Sequence, residues 1–103
     1  LTIFLGSIED IAAMKLAAIT GRGSKKDFTD LFFLLKRYSL SEIIEFYTRK
    51  YFDGSAYLVI KSLTYFEDAE NDLLPEMISP IKWNDVKKTI LDHVLKYHES
   101  IGN

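Results

Sequence analysis

The chain has no cysteine. That removes a disulfide framework, a thiolate zinc site and a cysteine nucleophile in one stroke, and it fits a reducing, cytoplasmic compartment. There are only two prolines, Pro75 and Pro80, so most of the chain is free of helix breakers. No apolar run approaches the roughly 20 residues that a membrane span needs. Leu1 to Leu5 is too short for the apolar core of a signal peptide, so none is expected in this stretch. The 13 basic and 15 acidic residues leave a formal charge of -2, so no strongly basic nucleic-acid surface covers the molecule. With 103 residues, 48% of them hydrophobic, the chain can build one domain around a core that needs no staples.

What is present is helical punctuation. Thr2-Ile3-Phe4-Leu5 is β-prone and closed by Gly6, so one short N-terminal strand is expected there. Ser7 then reads as an N-cap, opening a helix from about Ile8 to Thr20 that Gly21-Arg22-Gly23 breaks. Ser24 caps a second helix, Lys25 to about Arg37. Ser39 or Ser41 caps a third, through about Tyr51, and Ser55 opens a fourth, to Leu63 or Phe66. Residues 67–82 hold five acids and both prolines and read as an irregular connection. Trp83, Val86, Ile90, Val94, Tyr97 and Ile101 form one stripe of a long terminal helix. The fold class is all-α, a single bundle of about five helices.

Two charges break the pattern. On the first helix Ile8, Ile11, Ala12, Leu16 and Ile19 share an apolar face at 100° per residue, and Lys15 falls inside it. On the second, Leu31, Leu34, Leu35 and Tyr38 form the core stripe; Asp27 lies in the same sector and Asp30 at its edge. The short loop makes the two helices neighbours, so Lys15 and Asp27 can meet. Such a pair is either a structural ion pair with a snorkelling lysine or part of a cleft completed by another domain. Arg22, Lys25 and Lys26, with the loop glycines, place amides and positive charge at a helix start, a candidate phosphate site. Phe33 points away from its helix's main stripe and marks a candidate interface.

Other arrangements fail on spacing. Asp68-Ala69-Glu70-Asn71-Asp72 suggests calcium, but the sixth and twelfth places of an EF-hand loop would be Leu73 and Ser79. It reads as a solvated acidic loop. His93 and His98 lack a third ligand at metal spacing. There is no nucleophile elbow, P-loop or dinucleotide fingerprint.

Asp10-Ile11, Lys15-Leu16, Ala18-Ile19, Arg22, Lys26-Asp27, Asp30-Leu31 and Leu34 resemble a motif of the AbiEii/AbiGii toxin family of nucleotidyltransferases, approximately DIxxxKLxAIxxRxxxKDxxDLxxL. The run Leu63 to Glu70, and Met77-Ile78 with Pro80 and Trp83, resemble bacterial members as well. The resemblance implies an N-terminal catalytic domain whose Gly-Ser and Asp-x-Asp motifs hold Mg²⁺ and a nucleoside triphosphate, with a helical part forming the other wall of the cleft. It implies that Lys15 contacts nucleotide phosphates, with Arg22 and Lys26 as further phosphate contacts, and that Asp27 or Asp30 orients the lysine or completes the polar site. It also implies a cognate antitoxin as partner, and for some members an RNA acceptor. Gly6-Ser7 is not the Gly-Ser motif, because no Asp-x-Asp follows it. The chain is therefore expected to be the C-terminal helical part of a larger protein, to hold no metal itself, and to be inactive alone. The rival expectation is a non-enzymatic helical module that binds a protein partner.

Overall fold

The structure, a computed structural model, describes residues 7–73 and 81–101. Helix α1 spans Ile8–Arg22, α2 Lys25–Leu34, α3 Leu40–Lys50, α4 Ala56–Leu63 and α5 Trp83–Ile101, with one 3₁₀ turn at Glu67–Ala69. Among the described residues there is no strand; the strand expected at 2–5 lies outside them.

Serine starts four of the helices. Ser7, Ser24, Ser39 and Ser55 each have extended backbone and accept a hydrogen bond from the amide three residues on. At Ser24 and Ser39 the third helical residue, Asp27 or Glu42, reaches back to the cap amide and closes a full capping box. Each cap satisfies an amide that the helix cannot, worth about 1 kcal/mol. At Ser7 only half the box forms, and the Asp10 carboxylate lies 3.8 Å from Lys50 Nζ instead.

Two helix ends differ from the sequence reading. Helix α1 continues through Gly21 to Arg22 and stops at Gly23, which is extended (φ -72°, ψ 124°). Gly21 is thus held in helical conformation, at the entropic cost that glycine carries in a helix. Helix α2 ends at Leu34, three residues early, and Leu35 to Arg37 follow as tight turns. The Ser39 box demands an extended cap residue, so the chain unwinds just before it.

Helix α1 packs against α2, α3 and α4, most extensively against α3, and α5 packs against α2, α3 and α4. The core holds Leu16, Ile19, Phe28, Leu31, Ile43, Val59, Leu63, Val86 and Ile90. The buried face of α1 is Ala12, Ala13, Leu16 and Ile19, whereas Ile8 and Ile11 are 39% and 49% exposed. The expected face is thus rotated toward Ala13, whose small side chain lets a neighbouring helix approach closely. On α2, Phe28 and Thr29 join Leu31 in the core, and the Thr29 hydroxyl is satisfied by the Lys25 carbonyl at 2.8 Å. The α5 stripe buries Val86, Ile90 and Val94, with Trp83 and Tyr97 partly covered and Ile101 exposed.

Candidate functional site

The α1–α2 hairpin brings Lys15, Asp27, Asp30 and Lys26 together. Lys15 Nζ lies 3.2 Å from Asp27 Oδ1 and 2.9 Å from Asp30 Oδ2. Lys26 Nζ approaches the same Asp30 oxygen at 3.2 Å, one helical turn away on α2. The helical wheel put the lysine inside the apolar face; with that face rotated toward Ala13, Lys15 stands on the flank of the buried side of α1 and reaches sideways to α2. Its side chain is 17% exposed and that of Asp27 19%, while Asp30 is 39% exposed and Lys26 lies in the open.

Asp27 is held from two sides. Its Oδ1 faces Lys15, and its Oδ2 accepts from the Ser24 amide at 3.3 Å and the Ser24 hydroxyl at 3.0 Å. The residue that caps α2 is therefore also the residue that fixes the lysine's partner. Sequence reading identified Ser24 as a cap and missed this second duty, although a capping-box acid in a core sector signals it.

Burial by itself pushes the Lys15 ammonium down, but hydrogen bonds and charge from Asp30 and Asp27 outweigh it, and the group titrates above its ordinary value. Burial likewise pushes the Asp30 carboxyl up, and Lys15 and Lys26 together overcome it and hold the carboxyl below its usual range. Both groups are charged near neutral pH.

Lys15 and Asp30 line a shallow cleft of about 340 Å³ with Ile8, Ile11, Phe33, Leu34 and Arg37. Exposed Ile8, Ile11 and Phe33 form its apolar rim, with Met14, 53% exposed, on the same helix. Phe33, which points away from the main stripe of its helix, is 36% exposed, its ring set edge-on against Phe32 at 5.2 Å. Arg37, which sequence reading passed over, adds an exposed cation to this cleft.

Arg22 is not in that cleft. It lines a separate hollow of about 470 Å³ with Thr20, Lys61, Ser62, Tyr65 and Asp68. Lys25, assigned to the same basic turn, is only 8% exposed. Its amide donates to Asp72 Oδ2 at 3.0 Å, its ammonium to the Glu70 carbonyl at 3.1 Å, and the ammonium stands 5.0 Å over the Trp83 ring. The first amide of α2 is thus already committed to a carboxylate of the chain.

Residues 68–72 are exposed apart from Ala69, as a solvated acidic loop requires, but their acids also make fixed contacts. Glu70 accepts from the Trp83 indole at 2.9 Å and pairs with Lys87 at 2.8 Å, and these two donors hold its carboxyl below the usual range. The acids pin the segment between α2 and α5. Trp83 and Lys87, one turn apart, were the legible signal.

The described residues do not offer a magnesium ion a site. Among the described residues no three His, Asp or Glu side chains converge, and the two hairpin aspartates turn onto Lys15.

The architecture is an all-helical domain whose first hairpin displays a carboxylate-bracketed lysine in an apolar-rimmed cleft. Over residues 2–100 the chain matches the family described as Nucleotidyl transferase AbiEii toxin, Type IV TA system, and it belongs to that family. It is 40% identical over 102 residues to the uncharacterized protein aq_aa25 of Aquifex aeolicus (strain VF5), which covers 97% of this chain. The chain spans 48% of the length of that relative. No solved structure matches. Among the described residues no helix is long and apolar enough to cross a membrane.

Proposed function

We propose that this chain is the helical region of an AbiEii-type nucleotidyltransferase toxin and forms one wall of its nucleotide cleft. The other wall, a nucleotidyltransferase domain with Gly-Ser and Asp-x-Asp motifs, would supply the magnesium-binding carboxylates. Lys15 is the residue that meets the nucleotide phosphates, with Asp27 and Asp30 holding its ammonium in place. Lys26 and Arg37 add positive charge at the same edge, and Arg22 serves a more distant part of the substrate from its own hollow. A cognate antitoxin is the partner that family membership suggests.

The observation that carries this reading is the bracketed lysine. An ammonium held 2.9 and 3.2 Å from two carboxylates, at the wall of a cleft rimmed by exposed Ile8, Ile11 and Phe33, is poorly explained as plain packing. A second domain seated on that rim would bury the apolar surface and enclose the charges. Fixed charge aimed at a transferring phosphoryl group acts most strongly where water is excluded.

The test is nucleotide transfer by the full-length protein. Lys15→Ala should lower the transfer rate by about 10²–10³-fold, as losing a preorganised charge contact does, while the melting transition stays cooperative. Full activity in Lys15→Ala removes the lysine from the mechanism.

A further inference from the structure

The hairpin cluster is electrically balanced as it stands. Lys15 and Lys26 bring two positive charges, and Asp27 and Asp30 two negative ones, each within 3.2 Å of an opposite charge. An anion approaching Lys15 gains little while both carboxylates remain on the ammonium, so one of them has to yield.

The two aspartates differ in what yielding would cost them. Asp27 is one-fifth exposed and its second oxygen carries the amide and hydroxyl of Ser24. Swinging it away breaks one half of the capping box and takes the acceptor from the Ser24 amide and hydroxyl. Asp30 is twice as exposed, and only its Oδ2 is engaged; no described residue hydrogen-bonds its Oδ1. It has a second cation in Lys26 at 3.2 Å, so letting go of Lys15 does not strand its charge.

We propose that the aspartates divide the work: Asp27, locked by Ser24, is the permanent mount of Lys15, and Asp30 is a displaceable counter-ion that passes to Lys26 when a phosphate group takes its place. Ser24 is then a positioning residue that acts through Asp27. This rests on the proposed role of Lys15 in meeting phosphate. In the absence of ligand Asp30 keeps the ammonium paired, and it competes with the ligand for the same donor.

The competition has a sign that a merely structural ion pair does not. Binding of inorganic tripolyphosphate to the full-length protein is measured by calorimetry at fixed ionic strength, since exposed charges are screened by salt. Asp30→Asn removes the competitor and should bind about fivefold tighter, the size of one partly screened charge contact. Asp27→Asn and Ser24→Ala loosen the mount and should bind weaker, Asp27→Asn by about fivefold on the same scale. Weakening by both aspartate variants, or tightening by both, overturns the division of labour. Should Asp27→Asn fail to fold, Asp30→Asn decides: tighter binding supports the proposal, and unchanged or weaker binding overturns it. Unchanged binding in Lys15→Ala instead overturns the phosphate reading itself, a result the aspartate variants do not mimic.

Discussion

Gly21 and Gly23 lie two residues apart in the same turn, yet alanine at the two positions should move stability in opposite directions. Gly21 is inside α1, and a Cβ built on it meets nothing within 4 Å. Alanine there removes the entropic penalty of helical glycine, a gain of about 0.5–1 kcal/mol. Gly23 has a backbone that alanine adopts freely, so the same entropic gain is available, about 0.4–1 kcal/mol. Its Cβ, however, would stand 2.8 Å from Phe28 Cε2, 3.0 Å from Cζ and 3.4 Å from Ile19 Cγ2. Carbon atoms rest at about 3.5–4.0 Å, so the ring has to retreat by more than half an ångström. It has nowhere to go: Phe28 is 1% exposed and its ring lies 5.1 Å from Phe66 and 5.9 Å from Trp83, centroid to centroid. Overpacking of this kind costs about 1–3 kcal/mol, which exceeds the entropic gain. For a domain of this size 1 kcal/mol moves the melting temperature by about 4–8 °C. Thermal melts followed by circular dichroism should therefore show Gly21→Ala rising by about 3–6 °C and Gly23→Ala falling by a similar amount or more. Phe28→Leu in the Gly23→Ala background should recover part of that loss, because the smaller side chain vacates the contact. A rise in both glycine variants would refute the claim that Phe28 is clamped.

The pH dependence of stability has predictable signs. Asp30 is held below its ordinary value of 3.8, so its contribution is present above that value and is lost as pH falls through the folded value. Lys15 is raised above 10.5, so its contribution is present below that value and is lost as pH rises through the folded one. His93 is lowered from 6.5, first by burial and then by Lys96, so the fold disfavours its charged form and stability begins to fall as pH drops below 6.5. His93→Gln should flatten that first decline and Asp30→Asn the later one; melting profiles that keep both slopes in the variants would dismiss these assignments. Asp72→Asn weakens the charged acceptor on the first amide of α2 and should cost about 0.5–1 kcal/mol, with faster hydrogen exchange at the Lys25 amide. No change in that exchange would mean that Asp72 does not hold the segment.

Caps carried most of what the sequence revealed about the fold. Ser7, Ser24, Ser39 and Ser55 mark helix starts because each has an amide to satisfy three residues later, a local interaction that needs no knowledge of the tertiary structure. The ends were less legible because each depends on the conformation of the next segment of chain, as where α2 unwinds at Leu34 to present Ser39. The face of α1 misled for a related reason. Its apolar residues occupy more than one side, so periodicity leaves the buried side open, and close packing through Ala12 and Ala13 decides it. Ile8 and Ile11 then fall beside Lys15 on the surface, which changes them from core residues into the rim of the cleft.

The site was legible to the extent that its charges interrupt a pattern. Lys15 and Asp27 stood where apolar side chains belong, and the short loop required them to be neighbours. Asp30 at the edge of the stripe joined them for the same reason. What the linear pattern does not encode is how the basic turn divides. Arg22, Lys25 and Lys26 look alike in sequence, but Arg22 ends α1 whereas Lys25 and Lys26 open α2, where a turn of 100° per residue sends neighbouring side chains to different surfaces. Lys26 therefore reaches Asp30, Lys25 disappears beneath Trp83 and the Glu70 carbonyl, and Arg22 faces another hollow.

The helix cap and the proposed phosphate site share parts in this hairpin. Ser24 and Asp27 form the cap of α2, and the same Asp27 carboxylate supports Lys15. One residue further on, Phe28 plugs the core against Gly23. The Lys26-Asp27-Phe28 run thus reaches outward, sideways and inward in three consecutive positions. A substitution at Asp27 perturbs both the helix start and the lysine, so lost activity in that variant cannot be attributed to chemistry on its own. Ser24→Ala removes the hydroxyl but leaves the carboxylate, and Asp30→Asn leaves the cap intact. Of the residues around the ammonium, Asp30 is therefore the one through which its charge can be altered with the least disturbance of the fold.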